Sequence, residues 1–282
     1  MAVLGNLISW SERNEKIRGL ILSGSRVAKD NKVDFLSDFD ITVVVNDIDF
    51  IKNDDWLNEL QEYWVCIHDG FDLLGYEIPT RLVIFHDNLK VDFSFLKEPF
   101  LDKMSSSRLF PDGFNSGYKI LLDKDSTLNN LPAPTFKAFV LNKPSEADFN
   151  RNVNEFWFEV YHVAKYLTRN DLWVAKFRDW SAKQFLLQML QWHQGSKNNW
   201  DFSPKPDGKE MMNWLDTKIL ERINECFGGF EKESSWTVIE NTTRLYRDVA
   251  RQVSQTLNYH YNQRLDTNIS EFIDKMKAIR II

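Results

Sequence analysis

The sequence predicts an α+β protein in two parts, a mixed β-sheet flanked by helices over residues 1–144 and a helical bundle over residues 145–282. Three observations carry that reading. Apolar runs of strand length, each closed by a polar break, fill the first half. Apolar residues at helical spacing fill the second. Between them a proline-marked stretch, residues 131–144, reads as a connector and puts the boundary near Pro144. A chain of 282 residues can bury roughly three quarters of the surface its unfolded form exposes, enough for two ordinary domains.

Taken in order, a short helix over residues 6–15 leads into a buried strand over 17–22, which Ser23-Gly24-Ser25 stops. Glycine and serine there let the backbone approach a ligand and offer N–H groups to an anion; the same pair also makes ordinary turns. Asp38-Phe39-Asp40 then opens a second apolar run, residues 41–45. Residues 49–62, with Phe50, Ile51, Trp56, Leu57 and Leu60, fit a helix covering a sheet. A hairpin is expected from residues 81–85 and 91–96 about His86-Asp87-Asn88-Leu89, because Asp and Asn tolerate the turn conformation. Residues 121–125 close this part. In the second part Val153, Phe156, Val160, Val163 and Leu167 share one helix face, widened by Trp157 and Ala164. Further helices are expected over 172–192, 211–227 and 236–257, interrupted by a polar loop over 195–209.

With 35 basic against 41 acidic residues the net charge is −6. That balance argues against a broad nucleic-acid surface and suits a small cationic substrate. Cys66 and Cys226 lie far apart without metal spacing, so both are expected to be free thiols in a reducing compartment, the cytoplasm. The N-terminus lacks a basic segment followed by a long apolar one, and no window approaches the roughly 20 apolar residues of a membrane helix. Neither export nor membrane insertion is expected.

Asp38 and Asp40, one residue apart, leave an extended backbone from the same face. The strand candidate Val91-Asp92-Phe93-Ser94-Phe95 brings a third carboxylate, with its apolar residues on the face opposite Asp92. Three converging carboxylates repel one another unless a cation sits among them, and oxygen-only ligation favours magnesium, which also takes phosphate oxygens. Phosphoryl or nucleotidyl transfer is the chemistry expected of Asp38, Asp40 and Asp92. In the first bundle helix, the face opposite the apolar stripe carries Glu155, Glu159, His162 and Lys165. It reads either as a solvated face or as a cleft lining, with Lys165 neutralising a triphosphate and an acid gripping a cationic acceptor. Trp157 reads either as packing or as a contact for a substrate ring.

Gly24-Ser25-Arg26, Leu36-Ser37-Asp38-Phe39-Asp40-Ile41, Val91-Asp92-Phe93-Ser94-Phe95, Leu121-Leu122-Asp123-Lys124-Asp125, Asn154-Glu155-Phe156-Trp157 and Val163-Ala164-Lys165 occur in that order. In these motifs the chain resembles the aminoglycoside 6-adenylyltransferases, the streptomycin-modifying branch of the polymerase-beta-like nucleotidyltransferases. The resemblance implies an N-terminal nucleotidyltransferase domain, a C-terminal helical substrate-binding domain, and magnesium-dependent transfer of AMP from ATP to an aminoglycoside hydroxyl with release of pyrophosphate. It also implies that Asp38 and Asp40 are magnesium ligands and Asp92 the third carboxylate, acting as base, metal ligand or both. Gly24, Ser25 and Arg26 resemble the phosphate-contacting turn, Lys165 the helix lysine assigned to the triphosphate, and Gly208-Lys209 a Gly-Lys pair of a later loop. Two other readings stay open: a different small molecule or a protein side chain as acceptor, and a nucleotide-binding module without catalysis.

Overall fold

Helix α1 (Ala2–Arg13) delivers the chain into strand β1 (Ile17–Ser23) in a computed structural model that describes residues 2–29, 33–106 and 111–279. The chain divides into two units, residues 1–138 and 139–282. In the first unit there follow β2 (Phe39–Val45), α2 (Asp55–Leu60), β3 (Tyr63–Leu73), β4 (Tyr76–Phe85), β5 (Lys90–Lys97), α3 (Glu98–Ser106), α4 (Asp112–Asn115) and β6 (Lys119–Asp123). The strands form one mixed sheet in the order β3-β4-β5-β2-β1-β6. Its described pairings are antiparallel except β2 with β5, which is parallel.

The apolar run of β2 has a physical reason. A central strand covered on both faces cannot alternate polar with apolar residues, and Val43, Val44 and Val45 are all buried. Val43 and Val45 join Leu7, Trp10, Trp56, Phe93 and Phe95 on one face, whereas Val44 joins Ile21, Leu96, Phe100 and Met104 on the other. Each such valine contributes at most about 1.5–3 kcal/mol. On the first face the Trp10 and Trp56 rings stack at 5.4 Å, and Trp56 meets Phe93 edge-on at 5.2 Å.

Four expectations for this unit are corrected. Residues 49–62 are not one helix: a 3-10 turn (Ile48–Lys52) and the short α2 are separated at Asn53-Asp54, where the polar residues break the apolar spacing. Residues 121–125 do not simply end the unit, because β6 pairs with β1 and extends the sheet. β3, which the sequence reading assigned no strand, is an edge strand with Trp64 and Ile67 more than half exposed. Without a buried face it carries no alternation to read. The 81–85 strand begins earlier than expected, at Tyr76, because β4 spans the whole length of β3.

The second unit contains α5 (Glu146–Thr168), α6 (Leu172–Lys197), α7 (Met211–Trp214), α8 (Thr217–Asn224), α9 (Lys232–Leu257) and α10 (Gln263–Ala278). A capping box starts α5: Ser145 Oγ accepts from the Asp148 N–H, and the Asp148 carboxylate accepts from the Ser145 N–H. The expected stripe of Val153, Phe156, Val160, Val163 and Leu167 is buried throughout. Here too the structure differs from the sequence reading. The loop expected from Gly195 begins after Lys197, and Gly195 is helical. A Cβ there would stand 2.7 Å from Leu141 Cδ2 and 3.0 Å from Trp200 Cε3, so the glycine serves close packing. The helix expected over 211–227 is broken where Leu215 is extended and Asp216 caps α8, accepting from the Lys218 N–H. The last helix, α10, lies beyond the expected helices.

Candidate active site

The parallel pairing of β2 with β5 aligns Asp40 with Asp92, and the antiparallel pairing of β1 with β2 aligns Asp40 with Ser23. Three sequence segments therefore meet at one end of adjacent strands. Asp38 stands one residue ahead of β2 and, like Asp40, is part-exposed, while Phe39 between them is buried, as the same-face argument requires. On β5, Val91, Phe93 and Phe95 are buried and Asp92 is not, in the same alternation.

Between two of the carboxylates lies a group that sequence reasoning missed. Lys90 Nζ donates to Asp38 Oδ2 at 2.8 Å and to Asp92 Oδ2 at 2.6 Å. Burial acts to lower the Lys90 pKa, but the hydrogen bonds to the two carboxylates outweigh it and the net shift is upward. The available signal was strand alternation: Lys90 and Asp92 are two apart on β5 and share a face. The other oxygen of Asp92, Oδ1, is buried without a hydrogen-bond partner.

In place of an ion, the Lys90 ammonium stands between two of the three expected carboxylates. Among the described residues, the acidic, histidine or cysteine group whose donor atoms all lie within 4.8 Å of one another is elsewhere, at Asp54, Cys66 and His68. The ammonium of Lys90 relieves the repulsion between Asp38 and Asp92 and holds a position between them. The donor set still fits a hard divalent ion: its side chains offer only oxygens, one buried oxygen lacks a partner, and a cation is already bridged by two of the three groups.

The turn after β1 is shaped around Asp40. Gly24 has φ +71°, and a Cβ there would lie 1.8 Å from Asp40 Oδ2, so both the backbone conformation and the space require glycine. Gly24, Ser25 and Arg26 form a 3-10 turn. Arg26, expected to contact the nucleotide, is engaged by its own chain. Its Nε donates to the Asp38 carbonyl at 3.0 Å, its Nη2 to the Ser37 carbonyl at 2.5 Å, and its guanidinium lies 3.7 Å from the Phe39 ring centroid. This fork holds the backbone that carries Asp38.

Lys165, Glu155, Trp157 and His162 belong to α5 in the second unit. Glu155 is exposed, and His162 and Lys165 are half-buried. His162 Nδ1 is 2.8 Å from the Phe158 carbonyl, and its ring lies 4.4 Å from that of Phe158. Trp157 is a correction: it is fully buried, donates its indole N–H to the Tyr261 hydroxyl at 3.3 Å, and offers no surface to a substrate. Its place at the edge of the apolar stripe was the signal for packing. Glu159 is likewise not on a solvated face, because it is buried and accepts from Arg178 Nη1 at 3.1 Å.

Over residues 2–276 the chain matches the sequence model of a family described as Streptomycin adenylyltransferase. It is 28% identical to an aminoglycoside 6-adenylyltransferase of Campylobacter jejuni, covering 96% of this chain and 93% of that one. It is 26% identical to the Bacillus subtilis protein of the same name, covering 90% and 89%, and 26% identical to that of Staphylococcus aureus, covering 95% of each. The crystal structure of an aminoglycoside 6-adenyltransferase from Bacillus subtilis is similar with a TM-score of 0.49 and 23% identity, covering 99% of this chain and 97% of that one.

Proposed function

Because the chain belongs to the streptomycin adenylyltransferase family and is a nucleotidyltransferase, we propose that it transfers AMP from ATP to a hydroxyl of a streptomycin-like aminoglycoside. The observation that carries this reading is the cation-bridged pair Asp38 and Asp92, with Asp40 in register beside them and Gly24 packed against Asp40.

Asp38, Asp40 and Asp92 would hold magnesium, which supplies neutralisation of phosphate charge and alignment of the reacting groups. The chain's own residues do the rest. Arg26 holds the Asp38 backbone in place, and Gly24 lets the turn come close to Asp40. The Asp92 carboxylate, part-exposed at the start of β5, receives the proton of the acceptor hydroxyl as its oxygen bonds to the α-phosphorus. The bond from that phosphorus to the bridging oxygen breaks, and pyrophosphate leaves with the electron pair. To Lys165 we assign the phosphates of the nucleotide, and to Glu155 and His162 the cationic acceptor. A net charge of −6 supports an acceptor that carries positive charge.

Pyrophosphate release across a matrix of nucleotides and aminoglycosides, with magnesium present, tests the proposal. The largest rate is expected for ATP with streptomycin. Asp38→Ala is expected to lose nearly all of it with an unchanged circular dichroism spectrum. Absence of release from every pair, or substantial turnover by Asp38→Ala, would sink the assignment.

A further inference from the structure

On the opposite face of the sheet from the aspartates, the first unit gathers three side chains of metal-ligating type. Cys66 and His68, two apart on β3, share one face. Their cross-strand partners on β4 are Val83 and Arg81, and Arg81 in turn pairs with Phe93 of β5. Directly paired residues point to the same side, so this cluster lies on the Phe93 side, whereas Asp92 points to the other. Asp54, just before α2, completes the group. At that position an aspartate would ordinarily cap the helix, but its side chain makes no capping bond. Its Oδ2 lies 2.6 Å from His68 Nε2, and its Oδ1 accepts from Arg81 Nε at 3.0 Å. One sulfur, one imidazole nitrogen and one carboxylate oxygen lie within 4.8 Å of one another.

We propose that Asp54, Cys66 and His68 bind a thiophilic divalent transition-metal ion, zinc being the natural occupant, with solvent as the fourth ligand. A mixed sulfur, nitrogen and oxygen set suits zinc and not magnesium or calcium, which take oxygen donors. Bond lengths of about 2.0–2.3 Å to a tetrahedral ion separate neighbouring ligand atoms by roughly 3.3–3.7 Å. His68 and Asp54, 2.6 Å apart, must therefore part by about 1 Å, while the gaps to Cys66 Sγ, already within 4.8 Å, settle at that spacing. An edge strand and a half-exposed histidine side chain can make that adjustment by side-chain rotation. Arg81 supplies the outer support. It is buried, donates to the carbonyls of Thr80 at 2.9 Å and Ile51 at 2.6 Å, and by binding Asp54 Oδ1 leaves Oδ2 for the ion. On binding, the Cys66 S–H bond breaks, its proton passes to solvent, and sulfur keeps the electron pair that it donates to the metal. No electron is transferred.

Cobalt(II) is the probe, added to the full-length, metal-free, reduced chain. One cobalt per chain is expected to produce a thiolate-to-metal charge-transfer band together with the strong visible bands of four-coordinate cobalt. Zinc should displace it at stoichiometric concentration and excess magnesium should not. Cys66→Ser should abolish the charge-transfer band, and His68→Ala should weaken cobalt binding at least about 10-fold. Cys226→Ser and Asp38→Asn should leave the band unchanged, which separates this site from the other thiol and from the catalytic aspartates. No charge-transfer band in the unaltered chain, or a band that survives Cys66→Ser, overturns the proposal.

Discussion

A single methyl group at position 24 would meet the Asp40 carboxylate at 1.8 Å, and the positive φ of Gly24 adds backbone strain to the collision. Gly24→Ala is therefore expected to move Asp40 while leaving the rest of the sheet intact. A displacement of about 1 Å at a reacting centre costs on the order of 10²-fold in rate. Pyrophosphate release should fall by that factor with an unaltered circular dichroism spectrum, and a rate near that of the parent would show that Asp40 does not need its present place. Lys90 presents the complementary case. Removing its ammonium leaves Asp38 and Asp92 facing each other without the cation that bridges them. For Lys90→Met we expect turnover or magnesium affinity to drop by about 10–100-fold, the range seen when groups that orient metal ligands are lost. The measurement is rate against magnesium concentration, and an unchanged curve would leave Lys90 without a role. Both residues were within reach of the sequence in different degrees. Gly24 was legible because a glycine after a buried strand is a local signal; alternation places Lys90 beside Asp92, but only the register of β2 against β5 brings Asp38 to the same ammonium.

At the scale of elements, α5, α9 and α10 are joined through polar groups in the second core. Arg247 of α9 grips Asp266 of α10 with Nε at 2.7 Å and Nη2 at 2.7 Å, and Nη2 also reaches Ser270 Oγ at 2.9 Å. The Tyr261 hydroxyl donates to Asp266 at 3.2 Å and accepts from the Trp157 indole of α5. Asp266 is 1% exposed, so Asp266→Ala would strand the Arg247 charge in a poorly hydrated place. A loss of about 3–5 kcal/mol is expected from breaking such a pair on one side, read as a lower urea midpoint; a shift within error would show that water already serves this network. Aromatic packing reinforces the same junction, with the Phe156 and Tyr246 rings stacked at 3.5 Å. Helix α5 was the most legible element because its apolar stripe, Val153 to Leu167, repeats over about four turns. The break between α7 and α8 was not, since their residues keep an apolar spacing across Leu215 that says nothing about the cap Asp216 provides.

For the molecule as a whole, charge and topology act over longer distances. A net charge of −6 should draw a polycationic acceptor, and salt screens such attraction over about 10 Å. We expect kcat/KM for streptomycin to fall several-fold between about 50 and 200 mM salt, with a weaker dependence of kcat. Equal insensitivity of both would remove electrostatic steering from the account. No helix among the described residues is long and apolar enough to cross a membrane.

What the sequence by itself determined were features with a local period: the same-face Asp38 and Asp40, the glycine turn, the doubly covered run of β2 and the buried stripe of α5. These follow from side-chain directions that repeat every two or 3.6 residues along one stretch of chain. Only tertiary structure decided that β2 lies parallel to β5 with Asp40 opposite Asp92, that the Lys90 ammonium stands between Asp38 and Asp92, and that Trp157 and Glu159 turn inward. Each of these depends on which distant segment packs alongside, and strand register or a buried partner such as Arg178 leaves no period in the chain that carries it.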